Sequence, residues 1–147
     1  MPWRHLHLGG NGLKAFTIDH PQHFPALVHL HLFKNKLTHV SKHVFEGRIP
    51  LSELYLQENA LSKLPDDLTS FKPFRKLFLQ KNKLTTLPEM MGKVHVEYCD
   101  LRDNQLSVFP ESFDVSYQPR FGRLYWKGSG NAISQEEQER TGIWTRG

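Results

Sequence analysis

One cysteine, Cys99, is all the thiol in these 147 residues. A lone cysteine cannot close an internal disulfide, so the fold must rest on packing and hydrogen bonds. A reducing, cytoplasmic compartment is expected. No Asn-x-Ser/Thr triplet occurs, which agrees with that expectation. No apolar run approaches the roughly 18 residues of a membrane span, and no basic-then-apolar opening has the form of a secretory leader, so no membrane partner is expected. Neither charge sign dominates: 19 Lys and Arg stand against 15 Asp and Glu, for a net +4. The two signs are interspersed, which argues against nucleic acid as a ligand and permits a mildly acidic partner. Apolar residues make up only 38% of the chain, as expected where half of every strand faces water.

What the chain does have is asparagine at a nearly fixed period. Asn11, Asn35, Asn59, Asn82 and Asn104 lie 24, 24, 23 and 22 residues apart, in the phrases LHLGGNGL, LHLFKNKL, LYLQENAL, LFLQKNKL and CDLRDNQL. In the third unit, Leu54 and Leu56 are two apart and share one face of a strand, while Glu53, Tyr55 and Gln57 take the other. Asn59 ends the strand at a bend, where its amide can satisfy main-chain groups left unpaired. Leu61, Leu64, Leu68 and Phe71 continue the apolar lining on the return arm. One such unit cannot bury its own apolar side; stacked units share a continuous core.

The phrase L-x-x-L-x-L-x-x-N-x-L, repeated five times over roughly residues 3 to 133, resembles the leucine-rich repeat family. The resemblance implies an α/β leucine-rich-repeat solenoid. A curved parallel sheet would form its concave face, and short helices, turns or irregular arms its convex face. The arms are mixed. Residues 37–51 carry an inward Phe45, similar to receptor-type repeats, whereas residues 61–74 and 84–96 follow Leu-Pro with Leu68 and Met91, similar to intracellular scaffold repeats. Secreted members usually close their ends with disulfide-bonded caps, which one cysteine cannot build; Cys99 fills a leucine slot and is expected to be buried.

Residues 1–133 form the repeat domain, with five clear units and a degenerate sixth in which Asn131 arrives about two residues late over Gly-Ser-Gly. Residues 134–147 form a polar cap with a short helix. Ser134 and Glu137 have capping-box spacing, Gly142 is placed to end the helix, and Ile133, Ile143 and Trp144 can pin it. The first unit begins at Trp3 without a cap. Its open strand is therefore expected to meet a neighbouring chain or a second copy, unless Trp3 folds over its own end.

In this fold, outward residues align from unit to unit into columns. The central column reads His7, His31, Tyr55, Phe78, Asp100 and Tyr125. The preceding one reads His5, His29, Glu53, Lys76, Tyr98 and Arg123, and the following one Gly9, Phe33, Gln57, Gln80, Arg102 and Lys127. Phe33, Tyr55, Phe78, Tyr98 and Tyr125 are expected as exposed aromatics near charge, the composition protein interfaces favour. His5, His7, His29 and His31 occupy the corners of a rectangle about 4.8 Å by about 6.8 Å. With no carboxylate or thiolate expected to join them, the histidines read as interface or pH-sensitive residues, not as a metal site. His20, His23, His39 and His43 are expected to face solvent. No nucleophile–base–orienter set can be assembled; Cys99 and His95 do not face one another. The expected function is a non-catalytic protein–protein adaptor or scaffold subunit with no cofactor. It would bind a partner through His5, His7, His29, His31, Phe33, Tyr55, Phe78, Tyr98, Arg102 and Tyr125. The alternatives are a recognition part of a longer protein, such as a bacterial effector or signalling protein, and a ribonucleoprotein component.

Overall fold

The computed structural model describes residues 3–113, 121–127 and 129–141, with the backbone alone for 121–123. Its dominant feature is a six-stranded, all-parallel sheet. The strands are β1 (His5–His7), β3 (His29–His31), β5 (Glu53–Tyr55), β6 (Lys76–Phe78), β7 (Val96–Asp100) and β8 (Phe121–Tyr125), hydrogen-bonded in that order. The repeat phase sets the register. Leu6, Leu30, Leu54, Leu77, Cys99 and Leu124 lie side by side across the sheet. Two strands not foreseen from the sequence, β2 (Ala15–Phe16) and β4 (His39–Val40), pair in parallel between the first two return arms. Elsewhere the arms are irregular, with short 3-10 turns at Pro21–His23, Lys42–Val44, Glu89–Lys93 and Glu111–Phe113. A mostly parallel sheet with few helices is what the repeat implies.

Between sheet and arms runs one core. Leu30, Leu32, Leu54, Leu56, Leu77, Leu79, Cys99 and Leu101 enter it from the strands, and Phe45, Leu61, Leu64, Phe71, Phe74 and Met91 from the arms. The arm spacings select Phe45 and Met91, which are fully buried, and Leu68, which is only partly buried against the core. The first unit is more open. Leu6, Leu8 and Leu13 are only partly buried, while their counterparts Leu30, Leu32 and Leu37 have no exposed surface. Trp3 reaches toward Phe24, with ring centroids 6.3 Å apart, yet stays 47% exposed.

The asparagines join neighbouring units. Asn59 accepts the Leu37 amide at 3.0 Å through Oδ1 and donates through Nδ2 to the Leu32 and Leu56 carbonyls at 3.0 Å each. Asn35, Asn82 and Asn104 repeat this pattern one unit along. Asn131 joins the series despite its late arrival, bonding Leu106, Leu101 and Trp126. The residue before each asparagine has positive φ: Gly10, Lys34, Glu58, Lys81, Asp103 and Gly130. Each side chain placed there costs roughly 1–2 kcal/mol of backbone strain, which the asparagine bonds offset.

Helix α1 (Gln135–Thr141) follows the sixth unit. Ser134 Oγ accepts the Glu137 amide at 3.1 Å, which is half of a capping box. The other half is diverted: the Glu137 carboxylate accepts the Phe109 amide at 3.0 Å, and Arg140 Nη2 donates to the Phe109 carbonyl at 2.9 Å. The helix is thereby tied to the fifth unit. Ile133 is buried beneath it, while Gly142, Ile143 and Trp144 lie outside the described residues.

Candidate functional site

The sheet face opposite the core carries the columns in the register their spacing requires. His7, His31, Tyr55, Phe78, Asp100 and Tyr125 are mutual neighbours, as are His5, His29, Glu53, Lys76, Tyr98 and Arg123. Main-chain bonds place Gly9, Phe33, Gln57, Gln80 and Arg102 in the next column. The Phe33 ring lies over Gly9, where a Cβ would collide with it.

The aromatic residues are not openly exposed, which corrects the sequence expectation. Each is half-buried, because parallel strands sit about 4.8 Å apart and planar rings stack at nearly that distance. Ring centroids are separated by 4.0 Å from His7 to His31, 4.2 Å from His31 to Tyr55, and 4.8 Å from Tyr55 to Phe78. The ladder then steps sideways around Asp100, to Tyr98 at 5.2 Å and on to Tyr125 at 5.2 Å. Six rings thus cross the sheet as one continuous stripe.

Two carboxylates are sunk into this face, a burial that their column positions did not reveal. Glu53 is 6% exposed. It accepts the Tyr55 hydroxyl at 2.5 Å, with His29 Nε2 at 3.2 Å and Arg75 Nη2 at 3.5 Å. Burial pushes the Glu53 carboxyl up, but the Tyr55 hydrogen bond and the charges of His29, Lys76 and Arg75 outweigh it and hold the group below the usual carboxylate range. Burial, then the same contact, raises the Tyr55 hydroxyl to about 12. Asp100 is 1% exposed and takes Arg102 side-on, Nε to Oδ1 at 3.0 Å and Nη2 to Oδ2 at 2.6 Å. The available signals were Glu53 falling between His29 and Lys76 in its column, and Asp100 and Arg102 sharing a strand face two residues apart. A third buried acid, Glu46 on an arm, accepts the Thr69 amide at 2.9 Å, with His43 Nδ1 at 3.8 Å. His43 is consequently half-buried rather than solvent-facing, whereas His20, His23 and His39 are exposed.

The four histidines do come together, and a carboxylate does join them, contrary to expectation. His5 meets His29 edge-on at 4.5 Å, His7 stacks on His31, and His29 reaches Glu53. The rings face one another instead of converging on a point. Among the described residues, no group of three or more His, Cys, Asp or Glu is arranged to hold a metal ion. Burial, then the neighbouring His7 and His29, lower the His31 pKa below 6.5, against the opposing pull of Glu53. The folded chain therefore resists protonation at His31 more than the unfolded chain does. Stability should be undiminished above pH 6.5 and decline as pH falls below it. Melts at pH 7.5 and 5.5 should show the acid loss, and His31→Phe should reduce it. Equal acid losses in parent and variant would remove His31 from this role.

Cys99 has no exposed surface, and burial raises its thiol far above the ordinary range, so it offers no nucleophile. The leucine rich repeat family matches residues 4–61, which span the first two units and enter the third. The bonded asparagine series continues in the same form through the later units. Over residues 4–61 the chain is similar to leucine-rich repeat proteins. No curated protein matches the chain. Leucine-rich repeat domains commonly mediate protein–protein interaction and are generally non-catalytic. Among the described residues, no helix is long and apolar enough to cross a membrane.

Proposed function

We propose that this protein is a non-catalytic adaptor or scaffold subunit, a solenoid of residues 1–133 closed by a polar cap over 134–147, that binds a partner protein across the concave face of its sheet. The observation that carries this reading is the six-ring ladder from His7 to Tyr125. Stacking already fixes the rings, so a partner would lose little side-chain entropy in covering them, and rigid aromatics dominate interface energetics. Phe33 and Arg102 flank the ladder, and His5 and His29 extend it at the first unit. The less buried first strand offers a second contact surface, suited to another chain or another copy. The single buried thiol favours a reducing, cytoplasmic setting.

Tyr55 is a poor probe of this face, since its hydroxyl supports buried Glu53. Phe78→Ala with Tyr98→Ala is the better test. The pair should weaken partner binding by about 2 kcal/mol or more while leaving a folded chain. Affinity purification from the native cell, quantified by mass spectrometry, should show the partner lost from this variant and retained by the arm variant Lys63→Glu. The reverse pattern would move the contact to the convex arms.

A further inference from the structure

The face is not electrically uniform. Its two buried acids are already answered from within, Glu53 by Tyr55, His29 and Arg75, and Asp100 by Arg102. Arg102, however, is only half used. Asp100 occupies the edge formed by Nε and Nη2, and among the described residues no hydrogen bond leaves Nη1. The Arg102 side chain is 48% exposed above an Asp100 side chain that is 1% exposed, and its guanidinium lies over the Tyr125 ring at 5.4 Å. Two contacts thus fix its plane and leave the edge formed by Nη1 with Nη2 without a carboxylate among the described residues. A guanidinium oriented in this way can accept a second carboxylate end-on, as two parallel N–H···O bonds.

Its surroundings reinforce that capacity. Lys127, exposed, is next in the column, with its ammonium 5.6 Å from the Trp126 ring. Lys81, exposed, adjoins Arg102 on the other side, its amide bonded to the Arg102 carbonyl at 3.0 Å. The nearest remaining acid, Asp103, is half-buried and accepts the Ser129 amide at 2.7 Å. Two exposed lysines on neighbouring units thus add positive charge to the stretch of surface around Arg102.

Resting on the docking role proposed for this face, the geometry points to Arg102 as the receptor for an aspartate or glutamate carboxylate on an acidic partner segment lying across β6, β7 and β8. The aromatic stripe takes the segment's apolar side chains, and Lys81 and Lys127 take flanking acids. Nucleic acid fits less well. Phosphates recur every few ångströms and need a continuous basic track, whereas Glu58, Glu97 and Asp103 interrupt this one.

The test selects binders from a phage-displayed library of random peptides about 16 residues long and measures affinities of the winning synthetic peptides. Wild-type protein should enrich Asp and Glu beside apolar residues. Changing one acid of the best peptide to its amide should cost about tenfold or more in affinity. The double variant Asp100→Asn/Arg102→Gln keeps the net charge of the pair and leaves no buried charge alone. It should cost a similar factor and make the peptide's acid-to-amide change nearly silent. Circular dichroism confirms its fold, and Lys127→Gln, on an exposed side chain, provides an independent, smaller loss. Binders that need Phe78 but carry no acid excess and ignore the double variant overturn this inference and leave the docking face intact. Binders indifferent to both sites, or no binders at all, overturn both. Arg102-dependent binding of a short single-stranded RNA, tighter than any peptide, would assign the site to nucleic acid and overturn it as well.

Discussion

Replacing Asn104 with alanine is expected to cost about 3 kcal/mol of stability, or roughly 6–12 °C in melting temperature for a domain of this size. Asn104 is 1% exposed. Its Oδ1 accepts the Leu84 amide at 3.0 Å, and its Nδ2 donates to the carbonyls of Leu79 and Leu101 at 3.0 Å each. Alanine would strand the Leu84 amide among side chains with no exposed surface, at a cost of about 1–3 kcal/mol less whatever a trapped water recovers. It would also take one bond from each of two buried carbonyls that keep a second donor, Leu79 from Asn82 and Leu101 from Asn131. Asn11→Ala supplies the contrast. Asn11 is exposed, and its side chain donates at 3.3 Å to the Gly9 carbonyl in its own unit, so its loss should stay within about 0.5 kcal/mol. Urea melts of both variants decide the matter. If the two behave alike, the asparagines are not what binds unit to unit.

The register of the face was fully legible from the spacing of leucine and asparagine, because one phrase recurring near a constant period fixes both inward and outward positions. The condition of the outward side chains was not. Reading each column residue alone made Tyr55 and Phe78 exposed, whereas strands spaced like stacked rings let each aromatic shelter its neighbour. The burial of Glu53 and Asp100 was missed for a related reason. A carboxylate on a polar face is ordinarily solvated, and only the positions of Tyr55, His29, Arg75 and Arg102 in three dimensions make burial affordable here. The β2–β4 pairing left no sequence signal, since two residues per strand are too few to show alternation. His43 was placed in solvent because Glu46, three residues later, gave no sign of being a buried anchor for Thr69.

The sixth unit poses the sharpest question of tolerance, because Asn131 reaches its place only through an altered loop. It follows Asn104 by 27 residues, where earlier intervals are 22 to 24. The residue before each of the four preceding asparagines carries a side chain at φ between 53° and 59°, inside the left-handed well. Gly130 sits at φ 92°, outside that well, and a Cβ there would fall far inside contact distance of the Asn104 carbonyl oxygen. The main chain cannot swing clear. The Ser129 amide is bonded to Asp103 at 2.7 Å and the Ala132 amide to the Leu106 carbonyl at 2.8 Å. The Asn131 side chain grips the carbonyls of Leu101 and Trp126 and the Leu106 amide. Gly130→Ala should therefore cost about 2–4 kcal/mol, from backbone strain together with a collision that can be relieved only by breaking those bonds. Gly10→Ala, at φ 73° with open space around the added carbon, isolates the strain alone and should cost about 1 kcal/mol. Hydrogen exchange should report the larger loss locally, as faster exchange at the Leu106 amide that Asn131 holds at 2.8 Å. Equal melts for Gly130→Ala and Gly10→Ala, with Leu106 still protected, would show that the loop shifts freely and that Asn131 does not depend on it.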